Sequence, residues 1–190
     1  HITSLQRIDR DDFLWMDRFT IRNLELIHGN AEGTHTLLAV LDNTVSAMGA
    51  RLLKRWVIFP LKDIQKINER LETVEFLIRE TELRNKLVSH IRQCGDIERL
   101  VSKIPMKKIN PREVLQLARG LKQVEILKQS NLDTSNEYLK RLGDALNPCP
   151  YIAGKIFKEI TENPPALAAK GGMISNGVNP ELDELRHISS

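Results

Sequence analysis

Apolar residues in this chain change period near residue 36. Leu37, Leu41, Val45, Met48, Leu52 and Trp56 recur at steps of three and four, and Leu38 and Leu53 widen the stripe. Asp42, Asn43, Ser46, Arg51, Lys54 and Arg55 fall largely elsewhere, so the spacing predicts one amphipathic helix running up to Pro60, with Phe59 already extended. Asp63 is placed to cap a second helix bearing Ile64, Ile67, Leu71, Val74 and Ile78 on one face. A third carries Leu83, Leu87, Val88 and Ile91, with Gly95 just past its end. Asp96 opens a short helix predicted over 97–104 and closed by Pro105.

The strongest start signal is Asn110-Pro111-Arg112-Glu113. Asn caps, Pro sits where its missing donor is harmless, and Glu reaches back to the cap amide. Val114, Leu117, Leu121 and Val124 form the apolar face behind it. Thr134-Ser135-Asn136-Glu137 repeats the capping-box pattern ahead of Tyr138, Leu139, Leu142 and Leu146. Pro148 and Pro150 separate that helix from Ile152, Ile156, Phe157 and Ile160. Pro164-Pro165 and Gly171-Gly172 make a turn-rich link, and Asn179-Pro180 opens a last helix.

Upstream of residue 34 the pattern differs. Residues 2–8 alternate loosely, and the apolar runs 13–17 and 23–27 each read as a short strand, with a bend from Thr20 between them. His28 to Gly33 read as a loop. The predicted fold class is mostly α, a multi-helix core domain with a small N-terminal β element. No repeat of fixed period runs through the chain.

Composition adds a setting. Of 190 residues, 28 are Lys or Arg and 25 Asp or Glu, a net charge of +3, with 41% hydrophobic residues. That balance excludes a disordered tail, and no apolar run reaches the length of a membrane span. Two cysteines, Cys94 and Cys149, form no disulfide framework, and no secretory signal opens the chain, so a cytoplasmic setting is expected. A start at His1 and an end inside a helical pattern lead us to expect a fragment of a longer protein.

Catalytic chemistry finds little support. Gly154-Lys155 imitates a phosphate loop, but Cys149 stands where its first Gly belongs and Ile156 where Ser or Thr would bind magnesium. Histidines at 1, 28, 35, 90 and 187 show no metal spacing, and Asp9, Asp11 and Asp12 lack the Gly and Glu of a calcium loop. Cys94 reads as a small buried hydrophobe. Basic candidates for phosphate contact are Arg51, Lys54 and Arg55 on one predicted helix and Lys107-Lys108 in a loop, with ordinary solvation as the alternative.

The order of motifs goes further. Thr20-Ile21-Arg22-Asn23-Leu24-Glu25-Leu26 is followed by Leu37 to Thr44, then by Met48-Gly49-Ala50-Arg51-Leu52-Leu53-Lys54-Arg55-Trp56 and Pro60-Leu61. Asp96-Ile97-Glu98-Arg99-Leu100, Pro111-Arg112-Glu113, Gly171 to Gly177 and Glu181 to Arg186 come next. In this order they resemble the core domain of the MutS family of DNA mismatch-repair ATPases, over nearly the whole chain. Ser46 stands where Thr is commoner in that family, and Val57-Ile58 replace a more usual Leu-His.

The resemblance implies a structural role. It divides the chain into a β-hairpin-like segment over 1–33, a helical core over 34–178 and the start of a lever over 179–190. The motif positions Leu24, Glu25, Leu41, Asp42, Gly49, Arg51, Trp56, Pro60, Asp96, Arg99, Gly172, Gly177 and Asp183 are structural ones in this reading. No catalytic, cofactor or metal residue is assigned. ATP and magnesium are expected only in the full-length protein, as are mismatched duplex DNA, a second subunit and a MutL-type partner; no membrane is expected. The fragment itself is expected not to be an enzyme. A free-standing helical scaffold that binds proteins and never meets DNA is the competing class. Locally, Gly49 points to close approach of a neighbouring helix or of the N-terminal hairpin, with mere tolerance as the alternative; Trp56 to core packing, with base stacking as the alternative; and Glu25 either pairs with a buried Arg such as Arg51 or faces water.

Overall fold

A computed structural model describes residues 12–31 and 33–188. These residues are mostly helical and divide into two compact units, one ending at Arg84 and the other beginning at Asn85.

In the first unit lie α1 (Arg18–Asn23), α2 (Leu37–Leu41), α3 (Ala47–Ile58) and α4 (Ile64–Arg79). The predicted β element is not seen among the described residues, and residues 1–11 of that prediction lie outside them. Residues 13–17 pair only through one isolated bridge, Phe13 to Leu61. α1 occupies the predicted bend, and the second predicted strand, 23–27, becomes the turn that follows it. Asp17 takes the Thr20 amide at 2.7 Å, closing a first turn that the short apolar runs could not signal.

The single helix predicted up to Pro60 is two. Asp42 accepts from both the amide (3.0 Å) and the hydroxyl (2.6 Å) of Thr44, turning the chain, and Ser46 then caps α3 through the Gly49 amide. Side-chain capping has outcompeted an unbroken apolar period. Asp63 caps α4 as predicted. The α4 stripe of Ile64, Leu71, Val74 and Ile78 nevertheless faces solvent, each residue more than half exposed. The period fixes which residues share a face, but not whether these 190 residues supply its cover.

α5 (Thr81–Cys94) runs from the first unit into the second. The second unit contains α6 (Ile97–Ser102), α7 (Pro111–Leu132), α8 (Glu137–Ala145), α9 (Pro150–Glu159), a 3₁₀ turn at Ala168–Lys170 and α10 (Pro180–Ile188). The 22-residue α7 is the spine, with α6, α8 and α9 packed against it. Its capping box is complete: Asn110 accepts from the Glu113 amide at 3.0 Å, and Glu113 accepts from the Asn110 amide at 3.1 Å. Leu115, Leu117, Ala118 and Leu127 of α7 are buried with Leu139 of α8 and Ala153 of α9. Gly120 allows closest approach, since a Cβ there would lie 2.5 Å from the Cys94 carbonyl oxygen.

Two starts shift. Asn136, not Thr134, caps α8, because the Thr134 hydroxyl is spent on the Asn136 amide. The predicted 97–104 helix ends at Ser102, and turns carry the chain on to Lys107.

Candidate functional site

The C-terminal motif is organised by one arginine. After α9, Ile160 bridges to Ile174, the Thr161 amide donates to Met173 O at 3.0 Å and the Ser175 amide to Glu159 O at 2.8 Å. The returning chain is thereby tied to the end of α9. Gly172 and Gly177 take φ of +70° and +80°, and at Gly177 this turns the amide onto Asp183 Oδ2 at 2.7 Å. Asn179 caps α10 through the Leu182 amide, and Pro180 holds its first position. Arg186, one turn on, donates to Ile174 O at 2.9 Å, Asn176 Oδ1 at 2.8 Å and Asp183 Oδ1 at 3.1 Å. The guanidinium spreads these bonds over two nitrogens, Nη1 serving Asn176 and Asp183 and Nη2 serving Ile174, a span that a single ammonium nitrogen does not cover. The first two turns of α10 are fastened this way, while Leu185 and Ile188 remain exposed.

The N-terminal motif residues form a second local assembly. Leu24 closes α1, and Glu25 adopts a left-handed conformation at φ +50°. Its carbonyl and that of Leu26 accept the Leu37 and Leu38 amides at 3.0 and 2.9 Å, so they terminate α2 at its N-terminal end. Leu24 also lines an open cleft of about 720 Å³ with Leu14, Trp15 and Met16. Leu41 is half exposed, and Asp42 follows as the turn already described, its carboxyl held below the usual range by the Thr44 hydroxyl and then the Thr44 amide. Pro60 accepts the Leu14 amide through its carbonyl at 2.9 Å.

Three local expectations are corrected. The Glu25 carboxylate accepts from the Asn30 amide at 2.8 Å instead of pairing with Arg51, which is exposed on α3. The nearest atoms a Cβ at Gly49 would meet are those of the Ser46 and Thr44 side chains, at 3.1 and 3.6 Å, so among the described residues the close approach is to the capping turn of its own helix. Trp56 is 38% exposed and carries the Arg70 guanidinium 3.8 Å from its ring centroid, so a cation–π contact replaces the predicted core packing.

The remaining motif residues and basic candidates fall as follows. Asp96 caps α6 through the Arg99 amide at 3.2 Å. Lys54 and Arg55 are exposed on α3, and Lys107 and Lys108 are exposed after α6, Lys107 at φ +53°. Lys103, by contrast, turns inward to Glu113, whose carboxyl is held below its ordinary value first by that hydrogen bond and then by the Asn110 amide. Sequence reasoning missed Lys103, Asn176 and Arg186 as organisers, because their partners come together only in the fold. Among the described residues, no group of three His, Cys, Asp or Glu side chains could hold a metal ion, and no helix is long and apolar enough to cross a membrane.

Comparison with known sequences decides the family. Residues 19–188 match the pattern of MutS domain III. The chain belongs to the MutS family. It is 50% identical over 189 residues to the DNA mismatch repair protein MutS of Phocaeicola vulgatus and 48% identical to that of Bacteroides thetaiotaomicron. The protein of Parabacteroides distasonis of the same name is 46% identical over 190 residues. All of this chain is covered in each case, and it spans about 22% of the length of these relatives. It is therefore the domain III part of a MutS-type sequence.

Proposed function

We propose that this MutS domain III transmits conformational change between an ATPase and a DNA clamp carried elsewhere in a longer mismatch-recognition protein. In this reading the segment over 179–190 is the foot of a lever, and residues 34–178 are the body against which it works. The observation that carries the reading is Arg186. It binds the first turns of α10 to the Ile174–Asn176 segment, which is itself tied to the end of α9, so α10 and its support are positioned to move as one element. Coupling between distant sites travels through rigid, contiguous elements of this kind. The ATP and magnesium chemistry belongs to another domain, as do the contacts with the mismatch, a second subunit and a MutL-type partner. The protein acts in the cytoplasm.

The test is Arg186→Ala in the full-length protein that contains this chain. Nucleotide affinity and nucleotide-free binding of mismatched duplex should stay close to wild type. ATP-triggered release from the duplex should slow by about 2- to 30-fold, matching the range by which positions along a coupling route modulate it. Arg186→Lys should rescue little, because a single ammonium nitrogen cannot stand at both the Nη1 and the Nη2 positions. Wild-type release kinetics in Arg186→Ala would overturn the proposal.

A further inference from the structure

The charge of this chain is concentrated in one place. Residues 99–122 hold seven basic side chains (Arg99, Lys103, Lys107, Lys108, Arg112, Arg119 and Lys122) and one acidic one, Glu113. The whole chain carries only +3, so everything outside this stretch is net acidic. Glu113 is neutralised by Lys103, leaving the outer cations without an opposing carboxylate from within the stretch. Glu162 approaches one end, and Lys122 pairs with Glu125.

The backbone holds these cations in order. Lys103–Glu113 fastens the base of the loop after α6, the Lys107 amide donates to Ile104 O at 2.9 Å, and the Lys108 amide donates to Lys103 O at 3.1 Å. The solvent face of the first three turns of α7 is Arg112, Gln116, Arg119 and Lys122. At a rise of 1.5 Å per residue, Arg112 and Arg119 stand about 10 Å apart along the helix. Together with Asn163 they line an open cleft of about 200 Å³, and Arg112 Nε is aimed by a 3.0 Å hydrogen bond to Pro164 O.

We propose that this stripe is a sequence-independent contact for the phosphate backbone of duplex DNA. The claim rests on the mismatch-repair reading but adds a DNA contact within domain III itself. The chemistry favours phosphate over a protein partner. The solvent face of α7 offers guanidinium, ammonium and carboxamide donors in a row, with the exposed apolar side chains of the stretch, Val101, Ile104 and Met106, confined to α6 and the loop after it, whereas protein hot spots centre on buried aromatic or Arg anchors in packed pockets. A duplex presents one charge per about 1.7 Å of axis, which a linear row of cations matches.

The test uses this 190-residue chain and a fluorescein-labelled, perfectly paired 20-base-pair duplex, read by anisotropy across a salt series. Lys107→Gln/Lys108→Gln/Arg119→Gln removes three exposed cations; Arg112 is left in place because it also holds Pro164. The control, Arg22→Gln/Lys54→Gln/Arg55→Gln, removes the same charge from the other unit. If each lost cation meets a phosphate, the log–log salt slope should flatten by about 0.9 per contact, close to 2.7 in all, and low-salt affinity should fall more than tenfold. The control should keep the wild-type slope. An unchanged slope in the stripe variant, equal losses in both variants, or wild-type binding too weak to fade with salt would overturn the proposal. This assay needs neither ATP nor a mismatch, so its failure would leave the Arg186 experiment standing on its own.

Discussion

Two glycines within helices should respond in opposite directions to the same substitution. Gly154 lies in α9, is exposed, and a Cβ built there meets nothing within 4 Å. Gly154→Ala should therefore realise the full helix-propensity gain, about 1 kcal/mol. Gly120 lies in α7 and has the same intrinsic gain available. Its Cβ, however, would sit 2.5 Å from the Cys94 carbonyl oxygen and 3.1 Å from Ile97 Cγ1. The obstructing atom is backbone, so a rotamer change cannot relieve it. The end of α5 must back away from α7 by about 0.5 Å to bring the contact out to 3.0 Å. Overpacking of this kind costs about 1–3 kcal/mol, and the upper half of that range applies where a main chain must move. The net result for Gly120→Ala is a loss of about 1–2 kcal/mol, placing the two variants about 2–3 kcal/mol apart. Urea denaturation followed by far-UV circular dichroism measures this, with equal m-values confirming that the unfolded reference is unchanged. Equal stabilisation by both substitutions would show that α5 and α7 do not approach as described.

Two further outcomes follow from titrating groups. Because Lys103 and the Asn110 amide hold the Glu113 carboxyl below its ordinary value, its contribution is complete above about pH 4.3, the ordinary value for Glu, and disappears as pH falls through the depressed native one; urea midpoints at pH 7 and pH 3 should therefore differ less in Glu113→Gln than in wild type. Burial pushes the Cys94 thiol up, and the residue is only 4% exposed; iodoacetamide at pH 8 should modify Cys149 in the native protein and reach Cys94 only on unfolding, as peptide mass mapping would show.

Helix starts were the most legible part of the sequence. Asp63, Asp96, Asn110 and Asn179 all cap as their side chains suggest, because a cap is a contact between residues two or three apart. The break at Asp42–Thr44 escaped notice because Leu41, Val45 and Met48 keep helical spacing straight across it. α1 escaped because six residues give too few turns for a period to show. Trp56 was misjudged because its partner, Arg70, lies fourteen positions away and is charged. The Arg186 network joins residues 10 to 12 apart across a turn with one left-handed glycine, Gly177, and no local rule specifies that closure.

The carbonyls of Glu25 and Leu26 bear on how the N-terminal part of this chain folds. α2 has five residues, far below the length at which a helix persists in water by itself. Two of its leading amides are received by a segment that precedes it by a dozen residues. Each piece completes the other: the left-handed turn at Glu25 lacks its donors until α2 forms, and α2 has only the Thr36 cap at its leading end until that turn is in place. The turn at Leu24–Leu26 and α2 are thus expected to order together, with closure of the intervening loop as the entropic cost. Loops of about ten residues close in roughly 10–100 ns. Glycines inserted between Thr34 and His35 should delay this region while leaving the contacts of Asn30, Thr34 and Thr36 in place, so that its folding rate reads the entropy of closing the chain.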